Sequence, residues 1–119
     1  MKTWNAYYDA LKPIEGNGRI EFQTIPEGCE HNAHMFYIKL KDLDDRTVFI
    51  SYMKKKSIGC VFHYVPLHSA PAGIKFGRMD KDEYTTKESE RLVRLPMYYG
   101  MTDDERTSVI ENVLEYLKR

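Results

Sequence analysis

GCVFHYVPLHSAPAGIKFG, residues Gly59 to Gly77, joins an apolar run to a loop carrying two histidines, a tyrosine and two prolines. Cys60-Val61-Phe62 is β-prone and apolar on both parities, the pattern of a strand covered on both faces. Polar chemistry follows at its C-terminal end. Pro66 cannot donate to a sheet ladder and restricts Val65 to extended geometry, while Pro71 and Gly73 force a turn. His63, Tyr64 and His68 are therefore expected on a stiffened exit from strand to loop, which is how a fold presents side chains to a ligand.

Outward from this segment, the flanks alternate between helical and extended patterns. Trp4, Tyr7, Tyr8 and Leu11 recur at helical spacing, and Pro13 is expected to stop that helix. Ile20 to Gln23 alternates as a short half-buried strand. His34 to Leu40 reads as a second strand, with His34, Phe36, Ile38 and Leu40 on one face. Asp44 reads as the N-cap of the next helix, with Leu43 and Val48 as a hydrophobic staple and Val48, Phe49, Tyr52 and Met53 as its buried stripe. Lys54, Lys55 and Lys56 then complement the negative end of that helix. Downstream, Thr85-Thr86-Lys87-Glu88 fits a capping box opening a short helix with Leu92 and Leu95 inward, ended by Pro96. Met97 to Tyr99 reads as a brief last strand. Thr102 to Glu105 is a second capping box, ahead of an amphipathic helix bearing Val109, Ile110, Val113, Leu114 and Leu117. Segregated strands and helices around one strand-helix-strand unit predict a two-layer α+β domain, a short sheet of three or four strands with helices packed on one face.

A chain of 119 residues is one domain by size. Its 18 basic and 18 acidic side chains cancel, which leaves no basic face for nucleic acid or an anionic membrane. No apolar run follows Lys2, and none approaches the roughly 18 residues of a membrane span, so a cytoplasmic protein is expected. Cys29 and Cys60, with no secretion signal, read as free thiols. Nine tyrosines, five phenylalanines and a tryptophan exceed what a core of this size needs. The surplus is expected on an exposed apolar face, with Trp4, Tyr7, Tyr8, Tyr98 and Tyr99 as its candidates.

Local chemistry assembles no complete catalytic set. Cys29, His31, His34, His63 and His68 supply zinc donors at a spacing that matches no regular zinc template, so no metal site is expected. Cys60 reads as a small hydrophobe on an apolar strand. Ser69 adjoins His68, yet loop neighbours seldom aim at one atom. No glycine-rich phosphate cradle is present, and the carboxylate pairs Glu88/Glu90 and Asp103/Asp104 read as helix N-terminal charge.

HNAHMFYIKL (residues 31–40), FHYVPLHSAPAG (62–73) and YTTKESERLVRLPMYYGMT (84–102) together are similar to the C-terminal third of the DegT/DnrJ/EryC1/StrS family of pyridoxal-phosphate-dependent sugar aminotransferases. The likeness runs over nearly the whole chain and is strongest to members that aminate a dTDP-4-keto-6-deoxy sugar. It implies the small C-terminal domain of a fold-type I aminotransferase, spanning residues 1–119, without the large pyridoxal-phosphate-binding domain that carries the Schiff-base lysine. No lysine here stands in that motif, so the resemblance implies no catalytic residue, no cofactor-binding residue and no bound cofactor on this chain. It implies as partners the large domain, a nucleotide-sugar substrate and a homodimeric parent enzyme. It also places His34, His63, Tyr64 and His68 on the sugar-nucleotide side of the cleft as substrate-binding residues. A free-standing small-molecule or protein-binding α+β module is the alternative.

Overall fold

In the computed structural model, which describes residues 1–119, four short strands form one antiparallel sheet: β1 (Glu21–Phe22), β2 (Tyr37–Lys39), β3 (Val61–Phe62) and β4 (Leu92–Arg94). Their order is β1-β2-β4-β3, so the last strand in sequence lies between β2 and β3. Five helices accompany them: α1 (Lys2–Glu15), α2 (Leu43–Lys55), α3 (Pro71–Phe76), α4 (Thr85–Arg91) and α5 (Asp103–Leu117), with one 3-10 turn at Leu67–Ser69. The two-layer α+β architecture read from the sequence is the one observed.

The register explains the layering. Phe22 pairs with Ile38, and Ile38 with Val93, which puts three buried side chains in a row on one face of the sheet. Phe36, Leu40 and Leu95 extend that buried set. The three long helices deliver their apolar sides to the same core. Trp4 and Tyr7 of α1 meet Phe36 edge-on, each at 5.4 Å between ring centroids, and Phe49 of α2 meets Tyr116 of α5 at 5.0 Å. The Tyr7 hydroxyl donates to the Pro96 carbonyl at 2.6 Å, and burial first of all pushes its pKa far above the usual phenol. Aromatic pairs in these edge-on geometries add roughly 0.5–1.5 kcal/mol each beyond the area they bury.

The opposite face carries a charged ladder. Lys39 lies 2.7 Å from Glu21 and 2.9 Å from Glu88, and Arg91 reaches Glu21 at 2.6 Å. Arg91 also donates through Nε to the Leu40 carbonyl at 2.7 Å, tying the end of α4 to the end of β2.

Several local expectations are corrected. Helix α1 runs through Pro13, because that residue is exposed in the last turn, where it forfeits one hydrogen bond without breaking a buried interior. Asp42, not Asp44, is the N-cap of α2: its backbone is extended and its side chain accepts from the Asp45 N–H at 2.9 Å. Asp44 and Asp45 instead supply first-turn negative charge. Val48 is 58% exposed and Leu43 is exposed too, so no staple forms and the buried stripe is Phe49, Tyr52 and Met53. Strand β2 starts at Tyr37, and His34 is exposed on the irregular segment before it. Val61 and Phe62, on the edge strand β3, are 50% and 46% exposed, and it is Ile58 and Cys60 before them that enter the core. Helix α4 lacks the capping box expected at Thr85 and ends at Arg91. Leu92 then begins β4, whose backbone is claimed by hydrogen bonding on both sides, and Met97 to Tyr99 form no strand. The Thr102–Glu105 capping box of α5 is present with both reciprocal bonds.

Two outcomes follow from this arrangement. Phe49→Ala should lower stability by about 3–5 kcal/mol, as for other buried phenylalanines, while Val48→Ala next to it should stay within about 0.5 kcal/mol; urea denaturation separates the two. Hydrogen bonds from Lys39 and then Arg91 draw the Glu21 carboxyl down from 4.5 to about 2 in the folded chain. A depressed carboxyl stabilises the fold above its unfolded pKa and ceases to do so as pH falls through the folded value. Glu21→Gln should therefore be less stable than the parent at pH 7, and the gap between their urea midpoints should close between pH 4.5 and about pH 2.

Candidate functional site

The left-handed backbone of Ala33, at φ 50°, turns the chain immediately before His34. Non-glycine residues adopt that region rarely, and neighbouring side chains brace it here. The Ala33 N–H donates to His31 Nδ1 at 3.2 Å, and the His34 N–H donates to Asn32 Oδ1 at 3.0 Å. His31 is itself seated on Trp4, 4.0 Å between ring centroids. His34 and Arg94 of β4 both line a cleft of about 280 Å³, with Val61, Leu95, Pro96 and Met97 as apolar surfaces. A second cleft, of about 440 Å³, shares His34 and Met97 and is bordered by Tyr98, Tyr99 and Arg106.

His63 and Tyr64 leave the end of β3 beside this cleft. Their rings meet edge-on at 4.4 Å, and the Tyr64 ring centroid lies 5.9 Å from the guanidinium carbon of Arg94. The Nδ1 atom of His63 is enclosed and without a hydrogen-bond partner. Tyr64 thus lies against Arg94 with His63 packed on it, and His34 shares the cleft with Arg94. His68 does not join them. Its Nε2 lies 3.1 Å from both Thr86 Oγ1 and Asp82 Oδ2, near the start of α4. There it ties the 3-10 turn to α4 and closes the chain between them into an arm.

Arg94 is the residue the sequence reading missed. Leu92-Val93-Arg94-Leu95 alternates as a strand does, and that signal was available. It was overridden by the capping-box pattern upstream, which carried a helical reading through the whole run.

The arm concentrates apolar exposure. Tyr64, Val65, Leu67, Ile74, Phe76, Met79 and Tyr84 are all exposed, Phe76 at 79%. Pro71 and Gly73, expected to force a turn, lie in the short α3 helix, Pro71 in its first turn, and Gly73 packs so closely on the Leu67 carbonyl that a Cβ there would clash with it. Trp4 and Tyr7, expected on the exposed face, are core residues, and Tyr8 is half-buried. Tyr98 and Tyr99 are exposed as expected, since Gly100 at φ 80° turns the chain tightly behind them.

Cys29 is exposed, Cys60 is buried, and both are free; burial pushes the Cys60 thiol up to about 12. No three His, Cys, Asp or Glu side chains converge in ligating geometry. No helix is long and apolar enough to cross a membrane.

The model of the DegT/DnrJ/EryC1/StrS aminotransferase family matches residues 1–114. The chain belongs to this family. A relative from Methanocaldococcus jannaschii, described as an uncharacterized protein, is 34% identical over 113 residues, covering 90% of this chain and 28% of its own length. The spore coat polysaccharide biosynthesis protein SpsC of Bacillus subtilis is 28% identical over 119 residues, covering 88% of this chain and 31% of its own length. The crystal structure of NtdA from Bacillus subtilis with bound cofactor PMP superposes with a TM-score of 0.82 at 21% identity, over 98% of this chain and 27% of that one. The chain spans about 30% of the length of the relatives it matches.

Within this aminotransferase fold the residues present do not fit the pyridoxal cofactor. A lysine that joins a cofactor carbonyl has to shed its proton, and burial without a counterion favours that. Lys39 is the one lysine withdrawn from solvent. Burial acts against its charge, but the hydrogen bonds to Glu21 and Glu88 carry its pKa upward overall, so it stays a cation.

The exposed arm should bind a hydrophobic dye such as anilinonaphthalene sulfonate while the chain is native. Combining Leu67→Ser, Ile74→Ser and Phe76→Ser should remove most of that fluorescence with little change in the urea midpoint. Unchanged fluorescence in the triple variant would place the apolar surface elsewhere.

Proposed function

We propose that this chain serves as the C-terminal small domain of a pyridoxal-phosphate-dependent nucleotide-sugar aminotransferase and is inactive without the large domain that holds the cofactor. The observation that carries this reading is the span of the match: one family model over residues 1–114, against relatives about three times as long. The exposed arm supports it, since a soluble domain seldom leaves so much contiguous apolar surface bare and a boundary between domains covers about 600–1,500 Å². The name of the spore coat polysaccharide relative supports a sugar substrate.

The substrate we propose is a dTDP-4-keto-6-deoxyhexose. The corresponding enzyme is of the kind of dTDP-4-amino-4,6-dideoxygalactose transaminase, a cytoplasmic homodimer supplying lipopolysaccharide or common-antigen sugars. Bound pyridoxal phosphate supplies the electron sink for amino transfer, and it belongs to the large domain. This chain's own part is on the substrate side. His34, His63 and Tyr64 orient the sugar nucleotide by hydrogen bonds, and His68 holds the arm in place through Asp82 and Thr86.

Borohydride reduction of the chain with pyridoxal phosphate should fix no single lysine. Supplied with a lysine-bearing large domain from the family, the mixture should transfer an amino group to dTDP-4-keto-6-deoxyglucose, and neither part alone should do so. Specific capture of one lysine on the isolated chain, or transfer by the large domain alone at the full rate, overturns the proposal.

A further inference from the structure

We infer that the cleft between His34 and Arg94 is a phosphate subsite in which Arg94 is the charge partner. The inference rests on the nucleotide-sugar reading for the natural ligand, a diphosphate ester. The chemistry of the cleft rests on its residues alone.

The pairing of the arginines makes the case. Arg19 binds Asp45 at 3.2 Å, Arg91 binds Glu21, and Arg106 binds Asp103. Arg46 donates to the Ser89 carbonyl at 2.9 Å, and Arg119 approaches Glu115 at 3.7 Å. Arg94 is the half-buried arginine with no carboxylate or carbonyl acceptor at all: its Nε is enclosed and unpartnered, as Arg46 Nε also is, and its charge-related neighbour is the Tyr64 ring, while Arg78, which lacks an acceptor too, is exposed. An enclosed N–H without an acceptor is costly to leave in that state, and an anion in the cleft relieves it.

Position adds to this. Arg94 stands on the strand paired on both sides, opposite Tyr37 on β2 and Val61 on β3, so its Cα is fixed by the centre of the sheet. His34 faces it from a braced left-handed turn, and its side chain is free of intramolecular hydrogen bonds as well. No aspartate or glutamate lines this cleft or the neighbouring one that shares His34. Val61, Pro96 and Met97 form apolar surfaces of the cleft, beside which a charge interaction is screened less than in bulk water. Donors from two separate segments suit a tetrahedral oxyanion, which accepts from several directions. The planar arginine fork matches two of its oxygens at once, which an ammonium does not.

Titration of the chain with inorganic pyrophosphate at low ionic strength, followed by amide NMR, tests this directly, with malonate as the carboxylate control. Pyrophosphate should shift the amides of His34, Gly59, Val61 and Arg94 through Met97, and malonate should bind at least tenfold more weakly. Arg94→Gln should weaken pyrophosphate by tenfold or more and His34→Gln by a few-fold, while Lys54→Gln leaves it unchanged. If Arg94→Gln fails to fold, Arg94→Lys keeps the charge but not the fork and should still bind several-fold more weakly than the parent. Affinity unchanged in the Arg94 variants, shifts confined to Lys54–Lys56, equal affinity for malonate, or no binding at all overturns the subsite. Amino transfer with the large domain judges the wider reading separately. An active pair without pyrophosphate binding retires the subsite alone, and pyrophosphate binding without transfer retires only the aminotransferase assignment.

Discussion

Strand β4 has to be hydrogen-bonded on both sides, and the rest of the chain is laid out to allow it. Strands β2 and β3 each run antiparallel to β4, so they are parallel to one another with a strand-wide gap between them. Helix α2 bridges that gap above the sheet as a crossover, and the chain then travels through the arm and α4 before Leu92 drops into place. Leu40 N–H to the Arg91 carbonyl at 2.9 Å and Leu95 N–H to the Phe36 carbonyl at 3.0 Å extend the β2–β4 pairing beyond both ends of the formal strands. Alternation along β4 sends Val93 into the core and leaves Leu92 and Arg94 on the open face. The same inserted strand thus completes the core and displays the arginine.

The two faces of the sheet are stabilised by different physics. On the helix side, burial of aromatic and aliphatic surface dominates, at roughly 25 cal/mol per Å² of apolar area removed from water. On the open side, Glu21, Lys39, Glu88 and Arg91 form a shared network at the β1 end, and these half-exposed pairs contribute little individually. The network ends where β4 meets β3. From there outward the face carries an unpaired arginine, two histidines and a tyrosine, a division between structural charge and available charge on one surface.

Legibility followed the range of the interactions. The capping box at Thr102 and the stripe ahead of Leu117 are local, and α5 was read almost to the residue. The alternation of Phe36, Ile38 and Leu40 was equally plain, and all three are buried. Non-local pairing is not readable: nothing near Leu92 says that strands far upstream will claim its backbone, and its local pattern reads as the tail of a helix. The exposure of Val61 and Phe62 was misjudged for the same reason, since being an edge strand is a property of the sheet and not of the segment. Among the site residues, His63 and Tyr64 read as polar groups on a strand-to-loop exit, and their rings do meet there beside Arg94, whereas His34 reads as part of a strand face and lies before that strand. His68 was drawn elsewhere by Asp82 and Thr86, a contact across eighteen positions that no spacing rule anticipates.

The strand order also sets a kinetic problem. No two neighbouring strands are joined by a tight hairpin: Gln23 to Phe36 separates β1 from β2, and His63 to Arg91 separates β3 from β4. Every pairing therefore closes a long loop, and folding carries a high contact order for a chain of this size. Until β4 arrives, β2 has one unpaired edge and β3 has two, and β3 carries an exposed valine and phenylalanine. Such unpaired edges are templates on which a strand from another molecule can dock before the sheet is complete.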